Sequence, residues 1–216
     1  MGPLFVAAFH QFLHKVSWDD VPYAVQNGLT PYQVIAADGS THGLLTGYFE
    51  PWLRGSHTRS KKYAHAVYAP PVDLSVVPNY PQSGQGGQFA FGKMMANGEV
   101  APHVTRGDVM RGALEHQNLE LVYVDDAVDL FFAHVQGSAA IEMDDGSIQR
   151  IGFQAKSGHP YVAIGKTLKA MGALQSPITM DSIKAWLRAN PAQMERVLSS
   201  NPSFIFFKML DKTGPV

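Results

Sequence analysis

Cysteine is absent from this chain of 216 residues and 23.6 kDa. That excludes disulfides, thiolate zinc sites, iron–sulfur clusters, a cysteine nucleophile and a lipid-acceptor cysteine. Compartment stays open, because a cysteine-free chain suits the cytosol and the periplasm equally. Charge is scarce too, at 16% of residues against the ~25% usual for soluble domains. With 17 Lys+Arg against 18 Asp+Glu the net charge is −1, so the basic footprint of a nucleic-acid binder is missing. No run of apolar residues approaches the ~18 needed for a transmembrane helix. The apolar stretch Pro3–Phe9 has no basic residue ahead of it, which makes it a poor secretory signal. There is no Walker loop, dinucleotide fingerprint, Gly-x-Ser-x-Gly elbow or His-Glu-x-x-His helix. The nine histidines are scattered. His10 and His14 stand one helical turn apart without a third ligand nearby in sequence, so neither a metal nor another cofactor is expected.

What the chain does have is apolar residues, 45% in all with 11% aromatic, enough for a substantial core in one large domain or two small ones. Leu4, Phe5, Ala8, Phe9, Phe12, Leu13 and Val16 recur at helical spacing, predicting an amphipathic helix over 3–16 packed on the domain. Residues 17–31 read as loop, then Tyr32–Ala37 and Gly43–Tyr48 as strands joined through Asp38-Gly39. A polar stretch from Arg54 to Lys62 precedes a short strand near Ala66–Ala69. Four prolines and four glycines fall between Pro70 and Gly92, a composition shift that reads as a linker or long loop holding a domain boundary.

Beyond it, Phe89–Met95 and Glu99–Ala101 flank the turn Asn97-Gly98. Thr105 and Asp108 have capping-box spacing before a helix to about His116. Leu119–Val124 is strand-like, and Asp126 with Asp129 caps a short apolar helix to Ala133. Ala139–Met143 and Ser147–Phe153 read as a hairpin across Asp144-Asp145-Gly146. Helices are predicted at Tyr161–Met171, closed by Gly172, and at Met180–Ala189 and Ala192–Leu198. Phe204–Lys208 is a last strand. Pieces this short and interleaved cannot form tandem βαβ crossovers, so the expectation is an α+β fold, mainly β, with a small twisted sheet or barrel.

Two segments concentrate groups suited to a neutral ligand. Thr46 to Trp52 carries Gly47 for close backbone approach, Tyr48, Phe49 and Trp52 as stacking faces, and Thr46 and Glu50 as polar groups. Gln136-Gly137-Ser138 lies between a helix and a strand, with an amide and a hydroxyl that suit a polyhydroxylated ligand. Lys156 to Tyr161, with Gly158, then opens a helix that could line the same cleft. A Thr-Gly-Tyr step is also met as a β-bulge and Gln-Gly-Ser as an ordinary turn, so the residues alone leave both readings open. Among carboxylates, Asp125, Asp126 and Asp129 are explained by capping and Asp144 and Asp145 by a turn. Only Glu50 falls inside a candidate groove.

Six stretches taken together resemble the lytic murein transglycosylase A (MltA) family. They are Gly43–Pro51, Gly55–Arg59, Leu119–Phe132, Val135–Ser138, Gly158–Tyr161 with Ile164-Gly165, and Asn201–Phe204 with Phe206-Phe207. They appear in the family's order over about 30–208. The resemblance implies a bacterial cell-wall lyase that cleaves the MurNAc–GlcNAc β-1,4 bond of peptidoglycan glycan strands and leaves a 1,6-anhydro-MurNAc end. It implies a double-psi β-barrel domain with a smaller inserted β-rich domain and the glycan between them. On that pattern 1–71 is the N-terminal helix and incomplete barrel, 72–205 the inserted glycan-binding domain, and 206–216 the start of the return. Thr46, Gly47, Tyr48 and Glu50 would lie on the barrel side of the groove. Gln136, Gly137 and Ser138 would face it from the insert, supported by Gly158 and Tyr161. Periplasmic or outer-membrane placement follows from the same likeness. Two departures are Ala139, where the family usually has glycine, and Lys156-Ser157, where it has Arg/Lys-Asn. The family's acid/base aspartate follows the final Phe-rich strand, and beyond Lys208 only Asp211 is acidic. The expectation is therefore a shortened chain with no assigned catalytic acid and Glu50 as the fallback. The alternative is a non-catalytic peptidoglycan-binding module, and a weaker one a two-carboxylate hydrolase. Oligomeric state is not legible.

Overall fold

The computed structural model describes residues 49–78 and 89–211. The predicted helix over 3–16 and strands over 32–48, and with them Thr46, Gly47 and Tyr48, lie outside the described residues. In chain order come β1 (Trp52–Ser56), β2 (His65–Tyr68), β3 (Leu74–Pro78), β4 (Phe89–Met94), β5 (Val100–Ala101) and helix α1 (Arg106–Met110). β6 (Glu120–Val124), α2 (Ala127–Gln136), β7 (Ser138–Met143) and β8 (Ile148–Lys156) follow. The last elements are α3 (Ile164–Ala170), α4 (Met180–Ala189), α5 (Pro191–Ser199) and β9 (Ile205–Leu210). The described residues belong to one compact unit beginning at Phe49.

Six strands form one sheet in the order β2-β6-β1-β7-β8-β9. All its pairs are antiparallel except β1 with β7, which run parallel with Trp52 opposite Ala140. β3, β4 and β5 make a second, three-stranded antiparallel sheet. The expected mixed fold, mainly sheet, is what the chain adopts. The large sheet curls enough for its outer strands to share a core, with Tyr68 of β2 and Phe204, just before β9, at 6.4 Å between ring centroids. No ladder joins β2 to β9 among the described residues.

Five expectations need correction. The stretch around Arg54 is not simply polar, since β1 is an interior strand of the large sheet. Leu53 and Gly55 point inward while Trp52 and Arg54 face out, but glycine at an inward position hides the alternation. A Cβ at Gly55 would come 2.7 Å from Ile141 Cγ2 and 3.1 Å from the Tyr123 carbonyl, so the sheet has no room for an apolar side chain there. The Pro- and Gly-rich segment is likewise not all loop. It holds β3, an edge strand paired from Leu74 with Lys93 to Pro78 with Phe89, and an edge tolerates proline.

The helix after Thr105 has the expected capping box, Asp108 N–H to Thr105 Oγ1 at 3.1 Å and Thr105 N–H to Asp108 Oδ2 at 3.0 Å. It stops at Met110 instead of about His116 because Gly112 turns into positive φ at 93°. The helix expected from Tyr161 starts only at Ile164, capped at Ala163 without a side-chain bond. Conversely α2 runs three residues past Ala133, to an αL cap at Gly137.

The core has three parts meeting around α2. Leu130 and Ala133 face the sheet with Leu53, Val67, Val122, Ile141, Ile151 and Phe207. Phe131 and Phe132 face the other helices through Leu168, Leu187 and Val197. Tyr68, Leu114, Phe204 and Phe206 fill the curl of the sheet. Each such side chain contributes about 1.5–3 kcal/mol by leaving water. The small sheet is tied on where the His103 N–H donates to the Ser157 carbonyl at 2.7 Å and Phe91 meets Phe153 edge-on at 5.9 Å.

Candidate functional site

Gly137 is set by helix termination. α2 ends with Gly137 at φ 79°, its N–H returning to the Ala133 carbonyl at 2.8 Å, the αL closure that glycine favours. The chain then enters β7 directly, with Ser138 opposite Gly152 of β8. Gln136 is exposed and Ser138 half-buried.

Glu50 comes to the same place by register. The Ala140 N–H donates to the Pro51 carbonyl at 3.0 Å and Trp52 sits opposite Ala140. Because β1 and β7 are parallel, the segments Phe49–Pro51 and Gln136–Ser138 enter the sheet side by side, although some 87 positions separate Phe49 from Gln136. Glu50 Oε2 accepts from Arg150 Nη1 at 2.9 Å, with both side chains half-buried. Arg150 also borders a cavity of about 570 Å³ walled by Trp52, His57, Gln149 and Leu210.

Tyr161 lines a second cavity, of about 540 Å³, that also takes in Val135 at the end of α2, and Gly158 lies in the loop that leads to Tyr161 without lining the cavity itself. Gly158 has φ 85°, and a Cβ on it would lie 2.1 Å from the Phe91 carbonyl oxygen. The preceding Ser157 is fully buried. Its hydroxyl accepts the Phe204 N–H at 3.1 Å and its own N–H donates to the Phe204 carbonyl at 2.9 Å. His159 Nε2–H donates to the His103 carbonyl at 2.8 Å. Held by these bonds, Tyr161 stands at the cavity rim, 56% exposed, as a bare aromatic face.

The interior of that cavity was not legible in sequence. Arg106, Lys156, His134, Asn201 and Ser203 line it with Tyr161 and His159. Arg106 is only 5% exposed. One guanidinium nitrogen donates to the Ser203 carbonyl at 2.9 Å, and the plane lies over Phe131 and Phe204 at 4.7 and 5.4 Å. Burial pulls its pKa down to about 10, against a smaller upward pull from Tyr161. His134 Nδ1 accepts the Ile205 N–H at 3.2 Å, which puts the ring proton on Nε2. Burial, helped by the charge of Arg106, holds His134 well below the ordinary histidine range, so it is neutral. In the sequence Arg106 reads as the first residue of a capped helix, and His134 sits at the end of an apolar helical run. The sequence signal for His134 is its place beside Phe131-Phe132, whereas Arg106 stands far from any Phe-rich motif.

The remaining carboxylates behave as capping and turn chemistry predicts. Asp126 Oδ1 accepts the Val128 and Asp129 N–H groups at 2.7 and 2.9 Å, and Asp145 Oδ1 accepts the Ser147 N–H at 2.8 Å. Arg188 bridges Asp126 and Asp129 at 3.0 and 2.8 Å. Among the described residues no three His, Asp or Glu side chains converge as metal ligands would, and no helix is long and apolar enough to cross a membrane.

This arrangement can be set beside known proteins. The sequence profile described as "MltA specific insert domain" matches residues 44–208. The membrane-bound lytic murein transglycosylase A of Vibrio cholerae is 30% identical over 186 residues, covering 85% of this chain and 44% of that protein. The crystal structure of MltA from Neisseria gonorrhoeae superposes with a TM-score of 0.69 at 33% identity, over 82% of this chain and 51% of that one. Escherichia coli MltA, crystallised with bound chitohexaose, superposes with a TM-score of 0.60 at 28% identity, over 79% of this chain and 44% of that one. The chain thus spans about half the length of these relatives. Matched by the insert-domain profile over most of its length and by solved relatives in fold, the chain belongs to the MltA family.

Proposed function

We propose that this chain forms the glycan-binding part of a peptidoglycan lytic transglycosylase. The observation that carries the reading is the match of 44–208 to the MltA insert domain, which includes every described candidate residue. On this reading Glu50, Gln136, Gly137 and Ser138 contact the glycan at the edge where β1 and β7 begin. Tyr161 adds a stacking face, and Gly158 holds its loop. Thr46, Gly47 and Tyr48, outside the described residues, are further glycan contacts on this reading. An aromatic and amide-lined groove of low charge suits N-acetylated sugars, which donate and accept without ionising. On this reading 72–205 is a glycan-binding domain inserted in a double-psi β-barrel domain, to which 1–71 and the returning segment 206–216 belong. Outer-membrane association fits the membrane-bound names of the curated relatives.

The reaction is cleavage of the MurNAc–GlcNAc β-1,4 bond by the sugar's own 6-hydroxyl. An intramolecular nucleophile has a high effective concentration and needs no positioned water. One carboxylic acid suffices, first protonating the leaving oxygen and then taking the proton of the hydroxyl. Glu50 is a weak candidate for that acid, since Arg150 occupies its Oε2. This same ion pair favours the second reading, a glycan-binding module without turnover.

Purified chain should bind chitohexaose by titration calorimetry. Tyr161→Ala should weaken binding about 10-fold, the order of ~1.4 kcal/mol for a lost stacking face. Absence of binding would sink both readings. With peptidoglycan sacculi, mass spectrometry decides between them. Products lighter by one water than the hydrolytic ones mark the lyase, and bound glycan without product marks the module.

A further inference from the structure

The cavity behind Tyr161 carries charge that a neutral glycan does not explain. Arg106 and Lys156 both line it, and among the described residues no Asp or Glu does. Neither cation forms an ion pair among the described residues. Arg106 is 5% exposed, and its Nε is covered and has no hydrogen-bond acceptor there. A buried cation without a counter-charge is costly, so an isolated one points to an anionic ligand or to a compensating face. Phe131 and Phe204 offer π faces to the buried Arg106, while Lys156 is exposed at the cavity and lies over the Phe91 ring at 5.4 Å.

The neutral groups of the cavity are arranged as donors as well. Asn201 Oδ1 already accepts the Val162 and Ser203 N–H groups at 3.0 and 3.2 Å, which leaves its amide nitrogen as the donating end. His134 spends Nδ1 on the Ile205 N–H, so its Nε2–H is the donor. Two cations and several donors around a space of about 540 Å³ match an oxyanion, and a planar guanidinium matches a carboxylate in particular.

We infer that this cavity is a carboxylate subsite that takes an acidic group of a peptide-bearing muramyl glycan. The inference rests on the glycan reading above and adds a charge requirement to it. Along such a strand the N-acetylglucosamine units are neutral, while muramyl units carry a lactyl ether whose acid, or whose attached peptide, supplies carboxylates. A cavity adjoining the aromatic rim at Tyr161 therefore distinguishes muramyl glycans from chitin-type ones.

The test uses the full chain and three probes: a disaccharide-tripeptide with free carboxylates, the same compound with its carboxylates amidated, and chitotetraose. The free acid should bind about 10-fold tighter than the amide at low salt, an advantage that shrinks as salt is raised. Lys156→Met, at an exposed side chain, should bring that ratio toward 1 while thermal unfolding stays unchanged, and Arg106→Lys should reduce it partly. Should Arg106→Lys fail to fold, Lys156→Met decides alone. Equal binding of acid and amide, with chitotetraose still bound, would overturn the subsite and leave the glycan reading standing. Failure of all three probes would remove both. Inorganic phosphate is titrated as a control, and its binding as tightly as the free acid would assign the cavity to a free anion and overturn the muramyl source.

Discussion

Gly158 and Gly137 share a positive φ but differ in what surrounds them. A Cβ at Gly158 would sit 2.1 Å from the Phe91 carbonyl oxygen, whereas at Gly137 the nearest atom is Phe153 Cβ at 3.7 Å. Gly137→Ala should therefore cost about 1 kcal/mol for its left-handed backbone alone. Gly158→Ala should cost about 3 kcal/mol or more, because strain adds to a displaced loop. Urea denaturation of both variants checks the difference. His134 gives a second residue-level prediction. Its folded pKa is depressed, so below about 6.5, the ordinary value, the unfolded chain binds a proton that the folded chain refuses. Stability then rises with pH and is lost as pH falls below 6.5, by up to ~1.4 kcal/mol per unit. His65 is depressed by burial as well, opposed by Asp126 and Asp125, and acts in the same direction. His134→Asn keeps an acceptor for the Ile205 N–H but cannot protonate, and should flatten the profile between pH 6.5 and the carboxylate range.

Elements show where local chemistry is enough. Asp126 was legible as a cap before α2, and it accepts two backbone N–H groups there. Burial would raise its pKa, but the Asp129 N–H and the Arg188 guanidinium outweigh that and hold the carboxyl below its usual range. Asp126→Ala should cost about 1–2 kcal/mol, mostly for the lost cap, since the half-exposed pair with Arg188 adds little. Thermal unfolding of Asp126→Ala beside Arg188→Ala apportions the two. The hairpin β7–β8 and helices α4 and α5 were legible in the same way, from turn residues and apolar spacing. β1 was not, because the constraint on Gly55 comes from Ile141 and Tyr123 on neighbouring strands. Gly55→Val accordingly raises β propensity yet should destabilise the chain by about 2 kcal/mol through overpacking.

At the scale of the whole molecule the two sheets are unequal. The large sheet is backed by α2 and buries most of the core, whereas β3–β5 hang on through Ser157, Phe91 and Phe153. Native-state hydrogen exchange should find the slowest amides in β7, β8 and β9 and markedly faster ones in β3 and β5, as local opening follows buried apolar contact. Protection in β3 equal to that in β8 would contradict this unequal anchoring.

What the sequence alone determined follows from near neighbours and composition: low charge, no cysteine chemistry, the caps at Thr105 and Asp126, the turn at Asn97-Gly98, and a family likeness in ordered motifs. Each depends on residues a few positions apart or on totals, so no folded partner is needed to read it. Tertiary structure decided what depends on distant partners. It set Glu50 against Arg150 and beside Ser138, through the parallel pairing of β1 with β7. It buried Arg106 against Phe131 and Phe204 and turned an unremarked helix start into the floor of a cationic cavity. Burial, and the absence of a counter-charge among the described residues, arise only when segments a hundred residues apart close on one another, and no local pattern in the chain encodes them.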